Sequence, residues 1–305
     1  MMTKPGIRAQ TPQIDTRRFA PIEHDFSAHP AMAMPALHAL ANRLAGAGQC
    51  RGIAPGTTQG SAFKHHPIGP GSRGIDAIFD KIDEPGAWVA LYNVETDPDY
   101  ADFLGQVRQA FEPLVAHQQS GIYNVGGFIF ISSAPSVTPF HIDRENNFWL
   151  QVRGTKTISV WPANDPAVVS QEICEKFIAN RDLTGVSLRD EIRSRQRDFH
   201  VTAGQGLYFP CLTPHTTRCE PAPGSGKTLA SVSIGVVFYS DQTRHQARVL
   251  AFNQLLRRAA FSPRPPHVLD VANRAPLVDR AKALGGAAVV KLNSALGRFP
   301  VPPGL

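Results

Sequence analysis

Between residues 122 and 240 the chain reads as β-strand almost throughout, interrupted only by a helical stretch at 166–195 marked by Val168, Ile173, Phe177 and Ile178. Short apolar runs bounded by turn residues, such as 156–161 and 229–238, carry this pattern. The 26 prolines and 25 glycines fit many turns between short strands. With 42% of 305 residues hydrophobic, the chain can bury one large core with appendages or two small ones. The expectation is a mainly β core with flanking helices.

The flanks are less regular. Residues 1–28 read as an extended arm and 49–72 as loop, with His65 and His66 exposed on it. Met34, Leu37, Leu40, Ala41 and Leu44 recur at helical spacing, which predicts a helix over 30–47. A short helix is expected at 75–82, a strand at 88–94, and a helix from an Asp99 cap to about His117. After Tyr239 the pattern turns helical again. Val249, Phe252, Leu256 and Ala259 share a face suited to a homodimer or to packing on the chain's own core. A weak last helix over 276–296 is expected to break at Gly285-Gly286. The resulting division is 1–84, 85–240 and 241–305.

Charge is uneven. Residues 242–305 hold ten Arg/Lys against two Asp, so this tail is +8 within a chain of net +6. Such a tail can meet nucleic acid, acidic lipid or acidic protein, but a solvated helical face accounts for it, and no nucleic-acid partner is expected. The four cysteines form no CxxC pair, which favours free thiols in a reducing compartment. The N-terminus lacks the apolar core of a secretory signal, and no apolar run reaches the ~18 residues a membrane span needs. A cytoplasmic protein is expected. Gly224, Lys227 and Thr228 resemble the end of a phosphate-binding loop, but the following segment reads as strand, so a hairpin turn is expected there.

The chemistry concentrates in 138–156. His141 and Asp143 stand two apart, and on a strand they would face one side. His215, after a strand and a proline turn, is the favoured third metal ligand, with His200 as rival. Two histidines and a carboxylate occupy one face of an octahedron and leave positions open, the arrangement of non-haem Fe(II) oxygenases. Lys156 follows His141 by fifteen residues, across the turn at 153–155. In a hairpin it would return toward the His141 strand, where a buried cation needs an anion. The distal carboxylate of 2-oxoglutarate would serve, with Thr138 and Asn147 as further donors.

Thr138, Pro139, His141, Asp143, Asn147, Phe148, Gly154, Lys156 and Pro162 make a pattern in register with one family. The stretch resembles the JmjC and cupin-like 2-oxoglutarate oxygenases, most of all the asparaginyl hydroxylase that inhibits the hypoxia-inducible factor. The resemblance implies a double-stranded β-helix (jelly-roll or cupin) core with N-terminal α/β elements and a C-terminal helical extension. It implies Fe(II) on His141, Asp143 and His215, and 2-oxoglutarate on Lys156, Thr138 and Asn147, with Tyr123 as the candidate tyrosine contact. The implied activity is a dioxygen-dependent hydroxylation of a protein side chain or small metabolite, releasing succinate and CO2. Two departures stand out: Leu212 where the family often has Gly, and Arg144-Glu145-Asn146 after the aspartate. The alternatives are a metal-dependent cupin of another class, an isomerase or dioxygenase without 2-oxoglutarate, and a non-catalytic regulatory module.

Overall fold

A computed structural model describes residues 5–71, 73–221, 230–267 and 275–295. The described strands are β1 (Ile7–Ala9), β2 (Ala20–His24), β3 (Cys50–Gly52), β4 (His66–Pro67), β5 (Trp88–Leu91), β6 (Tyr123–Ser132), β7 (Ser136–His141), β8 (Asn146–Arg153), β9 (Thr155–Val160), β10 (Arg197–Thr202), β11 (Gln205–Phe209), β12 (His215–Cys219) and β13 (Ser231–Tyr239). The helices are α1 (Met34–Gly46), α2 (Ile75–Asp80), α3 (Pro98–Val115), α4 (Gln171–Asn180), α5 (Asp241–Arg258) and α6 (Leu277–Ala295).

The strands form two antiparallel sheets, ordered β1-β2-β11-β8-β13-β6-β5-β3-β4 and β10-β9-β12-β7. From β6 to β13 the chain crosses between them at every step except β9 to β10, which pair within the smaller sheet, and this is the double-stranded β-helix of jelly rolls. The chain is mainly β with flanking helices, as its strand-rich centre leads one to expect.

Side-chain alternation separates two apolar compartments. Phe148, Leu150 and Val152 of β8 point to the helical side of the larger sheet, where Leu37 and Leu40 of α1 and Phe103 and Phe111 of α3 cover it. Phe111 stacks on Phe148 and Phe238 at 4.7 and 4.9 Å between ring centroids. Trp149, one position away from Phe148, faces between the sheets with Ile158, Val160, Val201, Leu207 and Phe209. A third cluster joins Phe140 and Trp161 to α4 and α5 through Phe177, Ile178 and Leu250. Arg257 of α5 pairs with the fully buried Glu175 of α4 and holds those helices together.

Several expectations need correction. The arm and the loop both supply strands: β2 pairs with β11, and β3 joins β4 to β5, so the N-terminal segments extend both edges of the larger sheet. Strands of two to five residues are too short to show a period. Helix α3 is capped by Asp97, which accepts the Asp99 N–H at 3.2 Å, with Pro98 opening the helix. β8 and β9 do not pair as a hairpin. The chain turns at Gly154, with φ at 68°, and changes sheets there. The 224–228 turn lies outside the described residues. No described helix is long and apolar enough to cross a membrane.

The Gly285-Gly286 pair does not break α6. It marks where α6 crosses α5: a Cβ on Gly286 would lie 1.9 Å from the Arg248 carbonyl oxygen, and one on Gly285 would meet the Phe252 ring. Phe252 is therefore partly covered within the chain, while Leu277, Val278, Leu284 and Leu292 of α6 remain exposed. Gly286→Ala should cost about 1–3 kcal/mol, the range for overpacking a close contact. A thermal melt with an unchanged midpoint would show that the helices do not meet here.

His24 links β2 to the barrel. Its Nδ1 accepts the Phe26 N–H, so Nε2 carries the proton and donates to the Gln151 carbonyl at 3.0 Å. Burial lowers its pKa from 6.5 to about 4, against the pull of the Gln151 carbonyl. The unfolded chain therefore takes the proton first as pH falls. Stability is lost between pH 6.5 and about 4, by about 3 kcal/mol, and is unaffected by His24 above that window. Urea denaturation at pH 7 and pH 4 should show this extra loss in the wild type and not in His24→Gln.

Candidate metal and cofactor site

β7 and β12 are antiparallel neighbours, and His215 opposes His141. Two residues on in β12, Thr217 opposes Thr138, three residues back in β7. One extra residue is thus accommodated in β7 as a bulge. In a regular strand Thr138 and His141 would face opposite sides. The bulge brings both into one cavity, which His215, Thr217, Asn147 and Asp143 also line. Asp143 lies beyond the end of β7, so the turn and not the strand supplies the carboxylate. Its carbonyl accepts the Leu212 N–H at 2.8 Å and ties the two ligand-bearing segments together.

Leu212 itself has φ of +61°, in the left-handed region where glycine is favoured. The departure noted in the sequence therefore falls on a strained residue. Leu212 offsets the strain by burying its side chain with Phe140, Ile142 and Trp161. Arg144 and Glu145 turn away from the cavity: Arg144 donates to the Ile178 carbonyl, and Glu145 is bound by the Tyr239 hydroxyl.

The three donors converge. His141 Nε2 lies 3.9 Å from Asp143 Oδ1, and His215 Nε2 lies 3.5 Å from Asp143 Oδ2. One ligand atom from each residue falls within 4.8 Å of the others. Both imidazoles have their tautomer set by backbone. Nδ1 of His141 donates to the Pro139 carbonyl at 2.8 Å, and Nδ1 of His215 donates to the Thr213 carbonyl at 3.0 Å. Each Nε2 is left with its lone pair directed at the site, the usual support for a metal-bound histidine. Burial and the neighbouring His141 push His215 down to about 4, so it stays neutral and able to ligate. His200, the rival ligand, is exposed on the smaller sheet and bonded to Thr157 at 2.9 Å.

Lys156 shares the face of β9 that carries Ile158 and Val160 between the sheets and is buried; burial lowers its pKa. Its hydrogen bond is to Ser233 Oγ at 3.3 Å, and no carboxylate pairs with it among the described residues. A buried ammonium in this state calls for an anion. Asn147 Oδ1 is also buried without a hydrogen-bond partner. Gly235, diagonally across on β13, leaves it room, since a Cβ there would lie 3.2 Å from the Asn147 side chain. These residues fit a small dicarboxylate with its far end on Lys156, and the His-Asp-His set fits a divalent metal.

Tyr123 does not line the cavity. Its ring stacks on Tyr239 and lies under the Arg244 guanidinium, at the start of β6. The tyrosine that does line it is Tyr92, just after β5. Phe63 was not anticipated at all. It stacks on His141 at 4.4 Å, and its loop is fastened to β7 by the Phe140 N–H, which donates to the Gln59 carbonyl. The available signal was that Phe63 is the one large apolar side chain in 54–66.

No protein-family model matches the sequence, and no curated protein matches it. Solved structures with a similar outline include the ribosomal oxygenase YcfD of Escherichia coli. One aligns at TM-score 0.46 and 13% identity over 93% of this chain and 66% of that one. Another aligns at TM-score 0.43 and 15% identity over 97% and 64%. A YcfD complex with cobalt and 2-oxoglutarate aligns at TM-score 0.37 and 16% identity over 84% and 60%. The chain thus spans less than two thirds of the length of each of these neighbours.

Proposed function

We propose that the chain is an Fe(II)- and 2-oxoglutarate-dependent oxygenase that hydroxylates a C–H bond of a protein side chain or small metabolite. The observation that carries this reading is the pairing of two features in one barrel. Three donors, two of them imidazoles with preset tautomers, stand together in it, and a buried lysine without a carboxylate partner among the described residues points between the same sheets. A metal-dependent cupin that does without a dicarboxylate has no use for that lysine. The finer likeness to an asparaginyl hydroxylase rests on the residues matched between 138 and 162.

In this reading His141, Asp143 and His215 hold the metal, Lys156 holds the distal carboxylate, and Thr138 and Asn147 orient it. When bound, the metal and 2-oxoglutarate supply the oxidising power from dioxygen, with succinate and CO2 as by-products. Phe63 covers His141 and, with Tyr92, Phe128, Phe130 and Trp149, gives the cavity dry aromatic walls that exclude water. The four buried free thiols suit a reducing compartment such as the cytoplasm. The exposed apolar residues of α6 suit a homodimer, which light scattering tests.

Anaerobic titration of the protein with Fe(II) and 2-oxoglutarate tests the function directly. A weak visible charge-transfer band should appear only with both present. Metal binding without the band would favour another cupin chemistry.

A further inference from the structure

The inner end of the barrel holds a group that the proposed reaction does not use. Cys219 is the last residue of β12, one step beyond Arg218, which opposes Thr157 of β9. That register sets Cys219 beside Lys156, and its Sγ lies 3.9 Å from the carbonyl oxygen of Thr155. Hydroxyls crowd the same place. Ser132 Oγ is 3.4 Å from the sulfur, Ser136 opposes Cys219 on β7, and Ser231 and Ser233 approach from β13. Gln151 is fully buried here; its Nε2 donates to Ser231 Oγ at 2.8 Å, while its Oε1 has no partner.

Lys156 and Cys219 are each other's only charged neighbours among the described residues. Other charges nearby are engaged elsewhere. Arg218 faces outward to Asp198 and Glu220, both at 3.0 Å, and Asp83 accepts the Ala230 N–H at 2.8 Å. Burial opposes a charge on Cys219, but Lys156 and the hydroxyls of Ser132, Ser136 and Ser231 outweigh it and pull the thiol down. The other three cysteines have no such partner, and burial pushes each up to about 12.

We propose that the Cys219 sulfur is the built-in counter-anion of Lys156, and that an incoming dicarboxylate displaces it. The inference rests on the cofactor reading above and adds a proton to it. Without cofactor the pocket holds thiolate and ammonium. With a carboxylate on Lys156, a second anion beside it is unfavourable, so Cys219 takes up one proton from solvent. No bond is made or broken other than S–H. Cofactor affinity is then flat below the titration of the thiol and weakens about tenfold per pH unit above it.

The test uses the full chain and three variants, C219S, C219A and K156M. Ultraviolet thiolate absorbance of the metal-free protein should show one thiolate that titrates well before the other cysteines. It should be absent in C219S and moved to higher pH in K156M. Calorimetric titration of the Mn(II)-loaded protein with 2-oxoglutarate, in buffers of different ionisation heat, counts the protons. The wild type should take up about one proton per ligand above the thiol titration, and C219S and C219A none. Equal proton counts and equal pH profiles for wild type and both variants would overturn the inference and leave the oxygenase reading standing. No binding of 2-oxoglutarate by any of the proteins would overturn that reading and the inference together. Because a wild type that takes up no proton above the thiol titration would by itself overturn the inference, a variant that fails to fold does not remove the test.

Discussion

Asp143→Ala should leave a folded protein that no longer holds its metal. Asp143 brings the one carboxylate of the donor set, and the carbonyls behind both histidines fix which ring nitrogen faces the site. Removing a group that only supports a metal ligand costs about 10–100-fold in affinity. Removing the ligand itself should cost at least about a hundredfold, with 2-oxoglutarate turnover lost alongside. The fold should survive because the backbone carbonyl of residue 143, not its side chain, anchors the Leu212 turn. Equilibrium binding of Mn(II) and a thermal melt on the same samples separate the two effects. Full 2-oxoglutarate turnover in Asp143→Ala would sink the proposed function.

Lys156→Met should weaken 2-oxoglutarate and strengthen the fold. Truncating one partner of a buried ion pair costs about 2–5 kcal/mol, or about thirtyfold to several thousandfold in affinity. Without cofactor, the same lysine is a buried cation set against the Cys219 sulfur, and in the variant the thiol keeps its proton, so both charges are lost together. Replacing a buried ion pair with neutral groups of similar volume is neutral or stabilising by about 1–4 kcal/mol. The melting temperature of the cofactor-free variant should therefore rise, by about 2–4 °C per kcal/mol for a domain of this size. An exposed hairpin lysine would move neither quantity. Loss of binding together with a lowered melting temperature would mean that Lys156 holds up the fold rather than the cofactor.

What the sequence made legible was local. Thr138, His141, Asp143, Asn147 and Lys156 lie within nineteen residues, and the chemistry of each residue type limits what they do together. Helices α1 and α3 were visible because their apolar residues recur over three or more turns. The bulge in β7 was not visible, because register depends on the pairing with β12 as well as on β7 itself. Phe63 reaches His141 only through the folded course of its loop. Tyr123 was named and Tyr92 was missed because neither carries a motif, and only the barrel decides which ring faces inward. Gly285-Gly286 was read with the wrong sign. A glycine pair suggests a break unless the backbone pressed against it is known.

The early strand β2 has a consequence for how the chain is made. Its partner β11 lies far downstream, and the Thr16 carbonyl accepts the Tyr208 hydroxyl across 192 residues. At about 5–20 residues per second, a ribosome needs about ten to forty seconds to deliver that partner. During this interval β2 has an open edge, and the barrel lacks β11, β12 and β13. His141 and Asp143 emerge well before His215, so a nascent chain carries an incomplete set of metal donors. A metal ion can meet all three donors only after synthesis has passed His215 of β12, which makes the filling of this site a late step in maturation.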